Sequence, residues 1–178
     1  GDCFIRRHDG SILIDCPAEL RESLFTRLDR YIIADDAELS DVTDLFDILH
    51  TIEPKVLIEN SWSAQRFGQS GADQLFAKGT APDATLDSEE IEKSRISHKI
   101  PVWGAELDNT TLPPEAALEN RAISYTKGCY TGQEVISRMR SAGKTNRHIV
   151  LLELESCMPI GSALLCEGAT PEKPAATI

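Results

Sequence analysis

Apolar and polar positions alternate from the start of the chain. Residues 3–8 and 11–15 read as two short strands, and Asp9-Gly10 between them is a strong two-residue hairpin signal. Cys16-Pro17 then opens a helix, with proline in the first turn, where its missing N–H costs nothing. Leu20, Leu24 and Leu28, with Phe25, Tyr31 and Ile32, recur at helical spacing and carry that helix to about Ile33. Arg21, Arg27 and Arg30 lie mostly off this stripe and read as a solvated charged face. Residues 37–42, 45–52 and 55–59 are further strand candidates, the second stopped by Pro54. His50, in the second of them, reads as a satisfied or exposed residue rather than a ligand. Trp62 and Phe67 are expected to pack at a sheet end. Antiparallel hairpins followed by helices predict an α+β fold.

Phe67-Gly68-Gln69-Ser70-Gly71-Ala72-Asp73 is a glycine-flanked turn, and residues 78–85 form a loop rich in Gly, Pro, Ala and Thr. Asp87 with Glu90 makes a capping box. It starts a helix that runs to about His98, with Ile91 and Ile96 inward. Leu112-Pro113-Pro114-Glu115 reads as an extended, proline-stiffened segment. Glu115 and Glu119 are candidate helix-face carboxylates, though nothing fixes their separation. Residues 122–126 alternate like a short strand, and Val135 to Arg140 fit either a helix turn or an extended edge. Ser141-Ala142-Gly143-Lys144 is the expected boundary. Beyond it, residues 147–154 and 161–166 read as strands joined by a turn at Met158-Pro159-Ile160-Gly161, and residues 170–177 form an Ala/Pro-rich tail.

Length and composition narrow the possibilities. The 178 residues hold one large or two small domains, and a 41% hydrophobic fraction suffices for a core. A net charge of −11 argues against a general nucleic-acid-binding surface. No run approaches the length of a membrane span, and the first residues lack the apolar core of a secretory signal. Cys3, Cys16, Cys129, Cys157 and Cys166 form no C-x-x-C pair and no zinc-spaced cluster. A scattered, odd set points to reduced thiols and a cytosolic compartment.

The chemistry concentrates in Lys127-Gly128-Cys129-Tyr130-Thr131-Gly132-Gln133-Glu134. Two glycines permit unusual backbone angles or close approach. A thiol stands two residues after an ammonium, and a nearby cation favours the nucleophilic thiolate. Gln133 and Glu134 add a two-way hydrogen bonder and an anion. A turn around a small buried cysteine is the plainer alternative. Lys127, Arg138, Arg140, Lys144 and Arg147 cluster in an otherwise acidic chain. They read either as a solubilising counterweight or as the wall of an anion pocket.

That eight-residue stretch resembles the signature of the YgfZ family, folate-binding proteins related to the aminomethyltransferase (T-protein) of the glycine cleavage system. Residues 95–107, from Arg95-Ile96-Ser97 through Gly104-Ala105-Glu106-Leu107, and residues 111–119, from Thr111-Leu112-Pro113 to Leu118-Glu119, resemble two further family segments in the same order. The resemblance is strong over about residues 85–152 and loose elsewhere. It implies a folate-binding, aminomethyltransferase-like domain over residues 1–143, short of its N-terminal part. Residues 144–178 would begin a small C-terminal β-barrel, and the chain would be a fragment of a longer protein. It implies tetrahydrofolate as cofactor, and folate and iron–sulfur enzymes or their assembly machinery as partners, with tRNA-modifying enzymes among those supported. No direct nucleic-acid contact, no membrane and a cytoplasmic location are expected. Cys129 would be the working thiol, tuned by Lys127. Arg95, Gln69, Asp73, Tyr130, Gln133 and Glu134 would bind the cofactor, and no metal site is expected. The resemblance also puts Gln69 where the T-protein pattern has a glutamate, with Asp73 the nearest acid. A neutral amide cannot supply a charged pair to ring N–H groups. An aminomethyltransferase passing a one-carbon unit to tetrahydrofolate is therefore the second reading. Whether Cys129 attacks an adduct, exchanges with a disulfide or binds iron stays open.

Overall fold

The computed structural model describes residues 2–143, 145, 147–156, 158–165 and 176–177. Lys144, Cys157, Cys166 and most of the 170–177 tail lie outside the described residues.

The first hairpin forms as expected. Strands β1 (Phe4–His8) and β2 (Ser11–Asp15) pair antiparallel, with Phe4 opposite Asp15 and His8 opposite Ser11. Asp9 and Gly10 both take positive φ, 46° and 78°, as a turn matched to the strand twist requires. A 3₁₀ turn, Ala18–Leu20, leads into helix α1 (Arg21–Asp29). The helix stops short of Ile33 because the N–H groups of Tyr31 and Ile32 close tight turns onto Leu28 and Asp29.

The main sheet has the order β3 (Phe46–Ile52), β5 (Gly71–Ala77), β4 (Ser61–Ala64), all antiparallel. Strand β5 takes the place expected to be only a turn, and its Gly71, Ala72 and Asp73 are buried. Two expected strands do not form. At residues 37–42, the Asp41 carboxylate instead accepts from the Thr43 N–H at 3.0 Å and pairs with Arg21 at 2.5 Å, a local bond that competes with a ladder. At residues 55–59, both edges of β5 are already held by β3 and β4, so Val56, Leu57 and Ile58 stay exposed.

Helix α2 (Ser88–Ser97) carries the complete capping box. Asp87 accepts from the Glu90 N–H at 2.8 Å, and Glu90 accepts from the Asp87 N–H at 3.1 Å. Its buried residue is Arg95 rather than Ile96, which is exposed. The proline segment is not extended but a 3₁₀ turn, Pro113–Ala116, because proline presets the helical φ and the Glu115 carboxylate folds back onto the Leu112 N–H at 3.0 Å. Leu107, Ala116 and Leu118 form a small core with Trp103 against it.

Helix α3 (Glu119–Ala122) ends where a strand was expected, and the Ser124 hydroxyl accepts from the Lys127 N–H at 3.2 Å. Helix α4 (Gln133–Ala142) resolves the ambiguity at residues 135–140. It enters from Gly132 at φ 88° and leaves through Gly143 at φ 63°. Residues 147–154 are not a strand, and Ile149 donates instead to the Glu115 carbonyl at 2.9 Å. Among the described residues the C-terminal part contributes one short ladder, β6 (Ala163–Leu164) with β7 (Ala176–Thr177), and no closed barrel. The fold is thus a mixed α and β architecture with antiparallel sheets. Among the described residues no helix is long and apolar enough to cross a membrane.

Candidate functional site

Two groups of side chains carry chemistry. The first is built on β5. Alternation along β1 turns Arg6 inward, and the β3–β5 register sets His50 directly opposite Asp73. Asp73 is fully buried, at 0% exposure. Its carboxylate accepts from His50 Nδ1 at 2.8 Å, from Arg66 Nε at 2.7 Å and from Arg6. Asp15 holds both guanidiniums from the other side, pairing with Arg6 and with Arg66 at 2.7 Å. Arg66 also lies over the Phe4 ring at 4.1 Å. Burial alone would push the Asp73 carboxyl up, but the bonds from His50, Arg66 and Arg6 outweigh it and hold it well below the usual carboxylate range.

His50 Nδ1 faces the Asp73 carboxylate, and Nε2 is buried without a hydrogen-bond partner among the described residues. The ring is edge-on to Phe67 at 5.3 Å and lies against Gly71. The expectation for His50 is met at one nitrogen only. Sequence reasoning missed Arg6, Asp15 and Arg66. The inward phase of β1, shared by Phe4, Arg6 and His8, is the signal that could have found Arg6.

The Gly68–Gly71 turn packs onto α2. Gln69 Nε2 donates to the Ser94 hydroxyl at 3.1 Å, which donates to the Phe67 carbonyl at 3.2 Å. Gly68, at φ 91°, sits so close to His98 that no side chain fits there. On the same helix Arg95, 5% exposed, is engaged at all three nitrogens. It binds Glu92, with Nε at 2.6 Å, Glu106 at 2.9 Å and the Ile100 carbonyl at 3.1 Å. These partners raise its pKa further.

The second group is the turn into α4. Cys129 is a free, exposed thiol, so it is not the buried cysteine of the plainer alternative. Cys3 and Cys16, by contrast, are partly covered, and burial raises both thiols. Lys127 Nζ stands 4.7 Å from the Tyr130 ring centroid. The Gln133 side chain accepts from the Tyr130 N–H at 3.2 Å, and Glu134 pairs with Arg138 at 2.6 Å across one helical turn. Arg140 covers the Tyr125 ring at 3.9 Å. Arg147 turns back to Glu115 at 3.2 Å. Among the described residues no hydrogen bond or ion pair links the Lys127–Glu134 stretch to Gln69, Asp73 or Arg95, and no group of His, Cys, Asp and Glu is set to hold a metal ion.

Comparison with known proteins adds relatives. The chain is 39% identical over 72 residues to the tRNA-modifying protein YgfZ of Aliivibrio fischeri, a stretch that is 39% of this chain and 23% of that protein. It is 28% identical over 188 aligned positions to the tRNA-modifying protein YgfZ of Hamiltonella defensa, covering 92% of this chain and 55% of that one. A putative chloroplastic transferase of Arabidopsis thaliana is 34% identical over 94 residues, 53% of this chain and 21% of its own length. The chain thus spans from about a fifth to about half the length of these curated relatives. No protein-family profile matches it, and no solved structure does.

Proposed function

We propose that this chain is part of a YgfZ-like, tetrahydrofolate-binding protein of the cytoplasm. It supports iron–sulfur enzymes, including those that modify tRNA, through the thiol of Cys129. The observation that carries the reading is the free, exposed Cys129 in a glycine-hinged turn, beside Lys127 and at the entry to α4. The similarity to proteins named YgfZ supports the class. Residues 1–143 are proposed as the folate-binding unit and residues 144–178 as the start of a second, β-rich unit.

The fit to folate is partial. Asp73 and Arg95 have their charged atoms engaged inside the protein, which weighs against them as ligand contacts. Gln69 can accept with its amide oxygen, Gln133 can donate with its amide nitrogen, and Tyr130 offers a flat ring and a phenol. Among the described residues Glu134 is tied to Arg138 alone, in an exposed pair that costs little to open. Folate when bound would supply the one-carbon chemistry. The protein's own part is to hold the ring and present the thiol. The aminomethyltransferase reading has less support, because the turn carries Gln69 and the nearest acid along the chain, Asp73, is paired with two arginines.

The test is Cys129→Ala and Cys129→Ser in the full-length protein. Both are expected to leave the melting temperature nearly unchanged and to abolish support of an iron–sulfur tRNA-modifying enzyme. The native thiol is expected to react quickly with an alkylating agent. A thiol that resists alkylation, or a variant that loses stability and keeps function, refutes the reading. Calorimetry with tetrahydrofolate tests the cofactor separately.

A further inference from the structure

The net charge of −11 conceals a sharp division. Residues 121–147 hold six Lys and Arg and a single acid, Glu134, a formal +5, so the rest of the chain carries −16. Within this segment Arg138 and Arg147 have carboxylate partners. Lys127 and Arg140 have none among the described residues, and each is held over a tyrosine ring instead, Tyr130 and Tyr125. Both cations are exposed and both rings half-buried. Tyr125 and Arg140 line a cleft of about 760 Å³ together with Asn120, Met139 and Thr145. Glu119 lines the same cleft, which disfavours a bare anion there.

Cations interleaved with aromatic rings along an exposed stretch are what a single nucleic-acid strand needs. The cations track phosphates, and the rings stack on unpaired bases. Asn120 and Thr145 add hydrogen-bonding groups that can reach a base edge or sugar. We propose that the face around Tyr125, Lys127, Tyr130 and Arg140 binds a single strand of RNA or DNA. The net negative charge of the remainder disfavours the backbone elsewhere, which directs binding to this face. Overall charge excludes a general nucleic-acid surface, but it does not exclude a short basic and aromatic one. The inference shares Lys127 and Tyr130 with the proposed function, so its test is placed on Tyr125 and Arg140, which that function does not use.

The test is fluorescence anisotropy of the full chain with a labelled strand of about ten nucleotides, as RNA, as DNA and as a duplex. Binding is expected for the single strand of either sugar and not for the duplex, with an affinity that falls as salt rises. The log–log slope is expected to be near −1 to −3, at roughly −0.7 per phosphate neutralised. Arg140→Ala should flatten that slope by about 0.7. Tyr125→Ala should weaken binding roughly five- to a hundredfold while keeping the slope. Should either variant fail to fold, Arg140→Gln, expected to flatten the slope, and Tyr125→Leu, expected to weaken binding at an unchanged slope, make the same distinction. Absence of binding at low salt overturns the proposal. So does equal binding of the duplex, equal competition by polyglutamate, or an unchanged affinity in Tyr125→Ala.

Discussion

Replacing Asp73 by asparagine removes the charge at the centre of the buried network and little volume. Three charge-assisted bonds, from Arg6, Arg66 and His50, converge on that carboxylate. At roughly 1.5–3 kcal/mol each they set a ceiling. Arg6 and Arg66 both keep Asp15, and the amide oxygen still accepts one bond, so neither guanidinium is left wholly alone. The expected loss is about 3–5 kcal/mol, as for breaking a buried ion pair from one side. In urea this is a fall in midpoint of about 2 M at an ordinary slope for a small domain. Acid titration supplies a second readout. The folded-state pKa of Asp73 is depressed, so its contribution is full above the unfolded value of about 3.9 and is lost as pH falls below it. The gap between wild type and Asp73→Asn should therefore be constant near neutrality and close on the acid side. A midpoint shift under about 0.5 M, or a gap that widens in acid, refutes the assignment of this network to stability.

Arg95→Ala should cost about 2–3 kcal/mol in denaturant melts, because Glu92, Glu106 and the Ile100 carbonyl lose their donor. A ligand contact would instead weaken folate binding and spare the melting temperature. Gly71→Ala should destabilise by about 1–3 kcal/mol, since its methyl would lie 2.5 Å from the His50 ring and 2.8 Å from the Thr51 carbonyl, and the latter is backbone held in the sheet. Asp87→Ala removes one half of the capping box and should cost about 1 kcal/mol, read as a drop of a few degrees in thermal denaturation.

The elements legible from sequence were those stabilised within a few residues. Asp9-Gly10 dictates its hairpin because two positive φ angles match the twist of the strands it joins. Asp87 and Glu90 start α2 because both capping bonds span three residues. The 46–52 strand was likewise visible in its own alternation. Cys129 is a candidate thiol from the residue types beside it in the chain, and the turn leaves it free and exposed. Tertiary structure decided the rest. Whether residues 55–59 or 61–64 would pair with β5 depended on which could reach its free edge, and the less hydrophobic stretch took it. The partners of Asp73 are set by tertiary structure, since Arg6, 67 positions away, and Arg66 close on its carboxylate. Arg95 likewise meets Glu106 because the loop after α2 folds back on the helix. Local hydrogen bonds and turn angles are set by residue type and spacing, whereas a ladder partner or a counter-ion is chosen by where the rest of the chain leaves room and charge.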